Sequence, residues 1–106
     1  MIISGGENIY PVEVERVLAE HPAIREVAVL GVADPLYGQS VCAAVVFRPG
    51  AQASLEELDG FCRSRLAGYK RPRRYEVLDA LPRNASDKVQ KHRLRAQFEA
   101  RSPADR

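Results

Sequence analysis

The sequence predicts an α+β fold: a small sheet of about three main strands plus a short N-terminal hairpin, packed with about three helices. Three observations predict it. Two valine-rich runs, "AIREVAVLGVAD" and "SVCAAVVFRPG", follow one another closely. Amphipathic stretches at helical spacing flank them, and 45% of the 106 residues are hydrophobic, enough for one modest core.

Each element has its own signal. "MIIS" is a short apolar strand broken by Gly5 and Gly6. Pro11 suits the first position of a helix, where its missing N–H has no partner to lose. That helix is expected from about Pro11 to Glu20, with Val14, Val17 and Leu18 as the buried stripe and Glu13, Glu15 and Glu20 in water. The run "SVCAAVVF" is almost wholly apolar and is expected at the centre of its sheet, ending at Pro49 and Gly50. "SLEELDGFCRSRLAG" is the clearest helix. Ser54 and Glu57 fit a capping box, Leu55, Leu58, Phe61, Cys62 and Leu66 form the apolar stripe, and Gly68 stands where a C-terminal cap is expected. "RRYEVLD" alternates like an edge or half-buried strand, and "KHRLRAQFEA" makes a last short helix anchored by Leu94 and Phe98. The closing "RSPADR" is expected to fray.

Composition narrows the function classes. No apolar run approaches the roughly 20 residues that span a bilayer, and no signal-like stretch is present, so the chain reads as soluble and cytoplasmic. Cys42 and Cys62 sit among apolar residues and read as small buried hydrophobes rather than as a disulfide or metal site. His21 and His92 have no Cys, Ser or carboxylate partner at a catalytic spacing, and "SGGEN" lacks the spacing of a free-standing phosphate loop.

Net charge is only +2, but it is unevenly spread. Residues 1–62 hold three Lys or Arg against nine acids; residues 63–95 hold eleven against three. A block of one sign fits a polyanion such as a nucleic acid, a nucleotide or a phosphorylated cofactor, and equally a solvated basic face.

Three stretches acquire a sharper meaning together. "MIISGGENIYPVEVERVL", "GVADPLYGQSV" and "YKRPRRYEVLDALPRNASDKVQKHRLR" resemble, in order and spacing, the C-terminal domain of the AMP-forming acyl-CoA synthetases. Their superfamily includes peptide-synthetase adenylation domains and luciferases. The resemblance runs from Met1 to about Phe98, and "FCRSRLAGYKRPRRYEVLD" looks most like ligases for aromatic acids, with fatty-acid ligases sharing much of it. It implies a lid domain over residues 1–98 and a flexible tail over 99–106. Met1 falls just after the place of the family's hinge residue, so the chain is expected to be the lid of a longer enzyme.

The family activates a carboxylic acid with ATP to acyl-AMP, then passes the acyl group to the thiol of CoA. A large N-terminal domain holds most of the ATP, magnesium and acid contacts, while the lid swings between two positions. The resemblance implies that Lys88 enters the site for adenylate formation, bridging the carboxylate and the α-phosphate as an electrostatic group rather than as a base. In the other position, Ser4, Gly5, Gly6, Glu7 and Asn8 would approach, their small residues lining the pantetheine tunnel. Tyr37, Tyr69, Arg71 and Arg73 are expected to meet the CoA nucleotide as one exposed patch, arginines on phosphate and an aromatic on adenine. No metal site is expected in this chain.

One position departs from the family pattern. Asp87 stands where glycine is usual, adding a Cβ to a tight loop and a carboxylate that would repel phosphates or pair with Lys88. Two other readings stay open: a nucleic-acid-binding module, which would use the basic half, and a lid that serves a carrier protein instead of CoA.

Overall fold

The computed structural model describes residues 1–101. β1 (Ile2–Ser4) and β2 (Glu7–Ile9) form an antiparallel hairpin joined by Gly5 and Gly6, both at positive φ, +57° and +84°. Two successive left-handed residues make the mirror-image turn that matches strand twist, and glycine adopts it without a Cβ clash. The N-terminal hairpin is therefore as expected.

α1 (Pro11–Ala19) begins with proline at its first position and buries Val14 and Leu18 completely. Glu15, expected in water, is instead half-buried: its Oε2 accepts a hydrogen bond from the Val29 N–H at 2.9 Å and lies 3.0 Å from Lys91 Nζ. The reason lies in the sheet. Val29 belongs to an edge strand, so its outward N–H has no strand to meet and takes a carboxylate.

That sheet has the order β3-β4-β5, from β3 (Ile24–Asp34), β4 (Gly38–Phe47) and β5 (Arg74–Val77). β4 is central, as its apolar run requires. β3 pairs with it antiparallel, Val29 opposite Ala43, and β5 pairs parallel, Cys42 opposite Arg74. A parallel return needs a crossover, which α2 (Leu55–Arg63) supplies.

Ser54 Oγ accepts the Glu57 N–H at 3.0 Å, giving α2 the expected N-cap. Gly68 does not cap it. The helix stops at Arg63, where the Arg65 guanidinium lies 3.7 Å over the Phe61 ring and donates to the Phe61 carbonyl at 2.8 Å, and Gly68 opens a separate 3₁₀ turn, Gly68–Lys70. Leu55 is also a correction: it is 50% exposed, while Leu58, Cys62 and Leu66 are buried.

Alternate residues of β3 and β4 feed two cores. Val29, Val41, Ala43 and Val45 pack with α1, α2 and the hairpin. Ala28, Leu30, Cys42, Ala44 and Val46 pack under Leu81 and under α3 (Lys91–Ala100), through Leu94 and Phe98. The sheet is thus covered on both faces, which explains why the central strand is apolar throughout from Val41 to Val46. Both cysteines are free and buried. α3 includes Glu99 and Ala100, so residues 99 and 100 of the expected tail are helical. Residues 102–106 of it lie outside the described residues.

Candidate functional site

The loop of Lys88 and the Ser4–Asn8 turn attach at the two ends of one strand. At the start of β3, Glu26 pairs with Arg83 in the loop that carries Lys88. At its far end, Asp34 opens the turn that carries Tyr37. Asp34 lies eight positions after Glu26, roughly 26 Å along an extended strand.

The loop between Leu81 and Gln90 is held by its backbone. Arg83 and Val89 form an isolated antiparallel bridge, Gln90 N donates to Pro82 O at 2.8 Å, and Asn84 N donates to Lys88 O at 3.0 Å. Asn84 Oδ1 then accepts from the N–H groups of Ser86 (2.9 Å) and Lys88 (3.0 Å). An asparagine that takes up two turn N–H groups replaces backbone partners the turn cannot supply. Lys88 stands exposed at the end of this turn, and its ammonium makes no hydrogen bond or ion pair among the described residues.

Asp87 sits at φ +64°, the only non-glycine at positive φ among the described residues. This gives a physical reason for glycine at that position: the loop needs a left-handed residue there. Aspartate is among the residues that tolerate the conformation. Its carboxylate faces Arg83 Nε at 3.8 Å rather than Lys88, and its carbonyl accepts from Arg83 Nη1 at 2.8 Å.

At the other end, the hairpin turn is docked on the β3–β4 connection. Gly5 N donates to Tyr37 O at 2.9 Å, and Ile3 N donates to Gln39 Oε1 at 2.8 Å. Gly31 makes room for this: a Cβ there would lie 3.1 Å from Ile2 and 3.0 Å from Gln39. Asp34 Oδ1 accepts from the N–H groups of Leu36 (2.8 Å) and Tyr37 (2.9 Å), which fixes the turn. Ser4 is buried; Gly5, Gly6, Glu7 and Asn8 are exposed.

Arg73 places its guanidinium 4.0 Å from the centre of the Tyr37 ring, a cation–π geometry. The two line a cleft of about 440 Å³ with Ser40, Arg74, Phe98 and Arg101. Arg71 is drawn elsewhere, its Nη1 3.4 Å from Asp59 on α2. Tyr69 is exposed in the 3₁₀ turn, whose Lys70 pairs with Glu13 at 3.0 Å. Of the four residues expected in one patch, the structure brings Tyr37 and Arg73 into contact, beside the Gly5 turn.

The charge asymmetry has a structural use. Lys70–Glu13, Arg71–Asp59, Arg83–Glu26 and Lys91–Glu15 each join the basic half to the acidic half. His21 is structural: its Nδ1 accepts the Ala23 N–H at 3.1 Å and its ring meets the edge of Phe61 at 4.9 Å. No group of three or more His, Cys, Asp or Glu side chains among the described residues fits a metal ion.

Gln39 and the Glu26–Arg83 pair escaped the sequence reading because the partners are 36 and 57 residues apart in the chain. Asn84 carried a local signal, an Asn followed by small residues in a turn.

A two-layered cover on an antiparallel-then-parallel sheet, with an exposed loop lysine and a docked Gly-Gly turn, defines a class. The chain belongs to the AMP-binding enzyme C-terminal domain family, whose model matches residues 13–88. It is 58% identical over 105 residues to the 4-chlorobenzoate–CoA ligase of Pseudomonas sp. (strain CBS-3), covering 98% of this chain and 20% of that protein. A long-chain-fatty-acid–CoA ligase of Bacillus subtilis is 53% identical over 94 residues, covering 89% of this chain and 17% of that one. Among solved structures, the Mycobacterium tuberculosis fatty acyl CoA synthetase superposes with a TM-score of 0.87 at 42% identity, over 94% of this chain and 20% of that one. The chain thus spans about a fifth of the length of the relatives it matches. No described helix is long and apolar enough to cross a membrane.

Proposed function

We propose that this domain is the lid of an AMP-forming acid–CoA ligase, presenting Lys88 for adenylate formation and the Ser4–Asn8 turn for thioester formation. The observation that supports this reading is that the two stations attach at opposite ends of β3, one through Glu26 and the other beside Asp34, positions roughly 26 Å apart along an extended strand. Two groups so placed on one rigid strand do not serve one reaction centre at once; a lid that turns brings each in when needed.

The roles follow from what each group offers. An unpaired ammonium on a flexible stem suits charge building on an attacked α-phosphate, where exclusion of water strengthens the attraction. A Gly-Gly turn clamped from behind by Tyr37 and Gln39 offers bare backbone along which a pantetheine arm passes. The Arg73–Tyr37 pair beside it suits the CoA nucleotide, with Arg71 and Tyr69 on the adjoining turn. ATP and the acid are assigned mainly to the rest of the enzyme. Magnesium accompanying ATP is assigned to the rest of the enzyme as well. Use of ATP and CoA supports a cytoplasmic location.

CoA is favoured over a carrier protein as acceptor because the relatives are CoA ligases. A nucleic-acid module is disfavoured because four of the basic side chains serve internal ion pairs. The identities of 58% to a 4-chlorobenzoate ligase and 53% to a long-chain-fatty-acid ligase support an aromatic or fatty acid as substrate. The test is an acid screen on the polypeptide that carries this domain. Acid-dependent exchange of pyrophosphate into ATP, followed by an acyl-CoA product, is expected; absence of AMP formation with aromatic and fatty acids alike would reject the reading.

A further inference from the structure

We propose that Arg83 is a positioning residue for Lys88, holding the loop on β3 and keeping the Asp87 carboxylate away from the lysine ammonium. As a statement about adenylation it rests on the reading of Lys88 given above; as a statement about the loop it does not.

Arg83 makes three connections in two directions. Toward β3 its Nη2 pairs with Glu26, across 57 residues of sequence. Toward the loop its Nη1 donates to the Asp87 carbonyl at 2.8 Å, and its Nε faces the Asp87 carboxylate at 3.8 Å. The Glu26 contact is the better shielded, with side-chain exposures of 33% and 25%, whereas the Asp87 carboxylate is 87% exposed. Glu26 therefore fixes the guanidinium, and the guanidinium in turn fixes Asp87.

That matters because Asp87 is both left-handed and next to Lys88. A carboxylate at that position has two cations within reach, and the arginine is the pre-oriented one. Take Arg83 away and the Asp87 carboxylate loses its ion-pair partner and is left beside a lysine adjacent in sequence, while the Asp87 carbonyl loses its donor. The ammonium would then be engaged before any anionic partner arrives. A glycine at 87 raises no such conflict, so the arginine's electrostatic task is specific to the aspartate.

The test combines Arg83→Met, Asp87→Gly and the double variant, with circular dichroism to establish folding. Acylation by acetic anhydride needs a free amine, so the labelling rate of Lys88, read by peptide mass mapping against Lys70, reports how engaged its ammonium is. Arg83→Met should slow Lys88 labelling about two- to fourfold, the range an exposed ion pair supports, and the double variant should restore it. An unchanged rate, or a slowed rate that Asp87→Gly does not restore, would overturn the proposal. Arg83→Lys, which keeps the charge, should stay near the parent rate; slowing as large as that of Arg83→Met would overturn the electrostatic part. In the complete ligase, Arg83→Met should also lower the kcat of acid-dependent pyrophosphate exchange about two- to fourfold, in step with the labelling, with little change in the KM for ATP. Slowed and restored labelling with unchanged exchange would support the loop relationship and overturn the positioning role of Arg83 in adenylation.

Discussion

The Arg73 guanidinium lies 4.0 Å from the centre of the Tyr37 ring, joining the β3–β4 turn to the residue that precedes β5. Because Tyr37 O also accepts the Gly5 N–H, this contact ties the Gly-Gly turn to the basic stretch. Tyr37→Ala and Arg73→Ala are each expected to raise the KM for CoA in the complete ligase. The KM for ATP and acid should stay within about twofold. A charge-assisted contact is worth about 1.5–3 kcal/mol when well formed and less when exposed, so a rise of roughly three- to tenfold is expected for Arg73→Ala. Steady-state kinetics at two salt concentrations check it, the effect shrinking at the higher one.

At the loop, Asp87→Ala should destabilise the domain by about 1 kcal/mol, because alanine keeps the Cβ but lacks aspartate's tolerance for φ +64°. Asp87→Gly should leave stability unchanged or slightly higher. Urea denaturation of the two variants decides, and equal stabilities would show that the left-handed conformation is not what distinguishes them.

Phe98 is 1% exposed and, with Leu94, anchors α3 on the sheet. Phe98→Ala is expected to cost about 3–5 kcal/mol, the usual range for emptying a buried aromatic site. Hydrogen exchange should then show α3 opening before the β3–β4 pair.

Stability should fall above about pH 9. Burial pushes the Cys62 thiol up, and burial, then the neighbouring Cys62, pushes the Tyr75 phenol up, the two meeting at 3.8 Å. Both stay protonated in the folded chain at pH values where the unfolded chain has begun to lose those protons. The unfolded state then binds fewer protons, so stability drops as pH rises, by at most about 1.4 kcal/mol per pH unit per group. Lys70, raised by its hydrogen bond to Glu13, acts in the same direction higher in the alkaline range. Tm measured from pH 7 to pH 11 should be flat and then decline, and Tyr75→Phe should lessen the decline.

Much of this architecture was legible in local pattern. The apolar run around Val41–Val46 placed β4 at the centre, Pro11 and Ser54 marked two helix starts, and Gly5-Gly6 marked the hairpin turn. What failed depended on contacts that the apolar pattern does not show. Glu15 looked like a wet helix residue because its sequence shows no sign that the Val29 N–H lies at an unpaired edge. Gly68 looked like a cap because nothing local says that α2 ends at Arg63, where the Arg65 guanidinium takes the Phe61 carbonyl. For the site, resemblance supplied Lys88 and the Ser4–Asn8 turn, while the fold supplied their separation and the company each keeps. The role of Arg83 needed both Glu26 and the sign of φ at Asp87, neither of which is written in a single segment.

The central claim is that Lys88 serves adenylation alone, since its loop and the Gly-Gly turn stand at opposite ends of β3. The measurement is a pair of half-reactions on Lys88→Ala in the complete ligase: acid-dependent pyrophosphate exchange, and acyl-CoA formation from supplied acyl-AMP. Exchange should fall by a factor of 100 or more, on the order of 3 kcal/mol of lost transition-state stabilisation, while transfer to CoA stays within about threefold. Equal loss in the two half-reactions, or exchange that survives the substitution, would contradict the account.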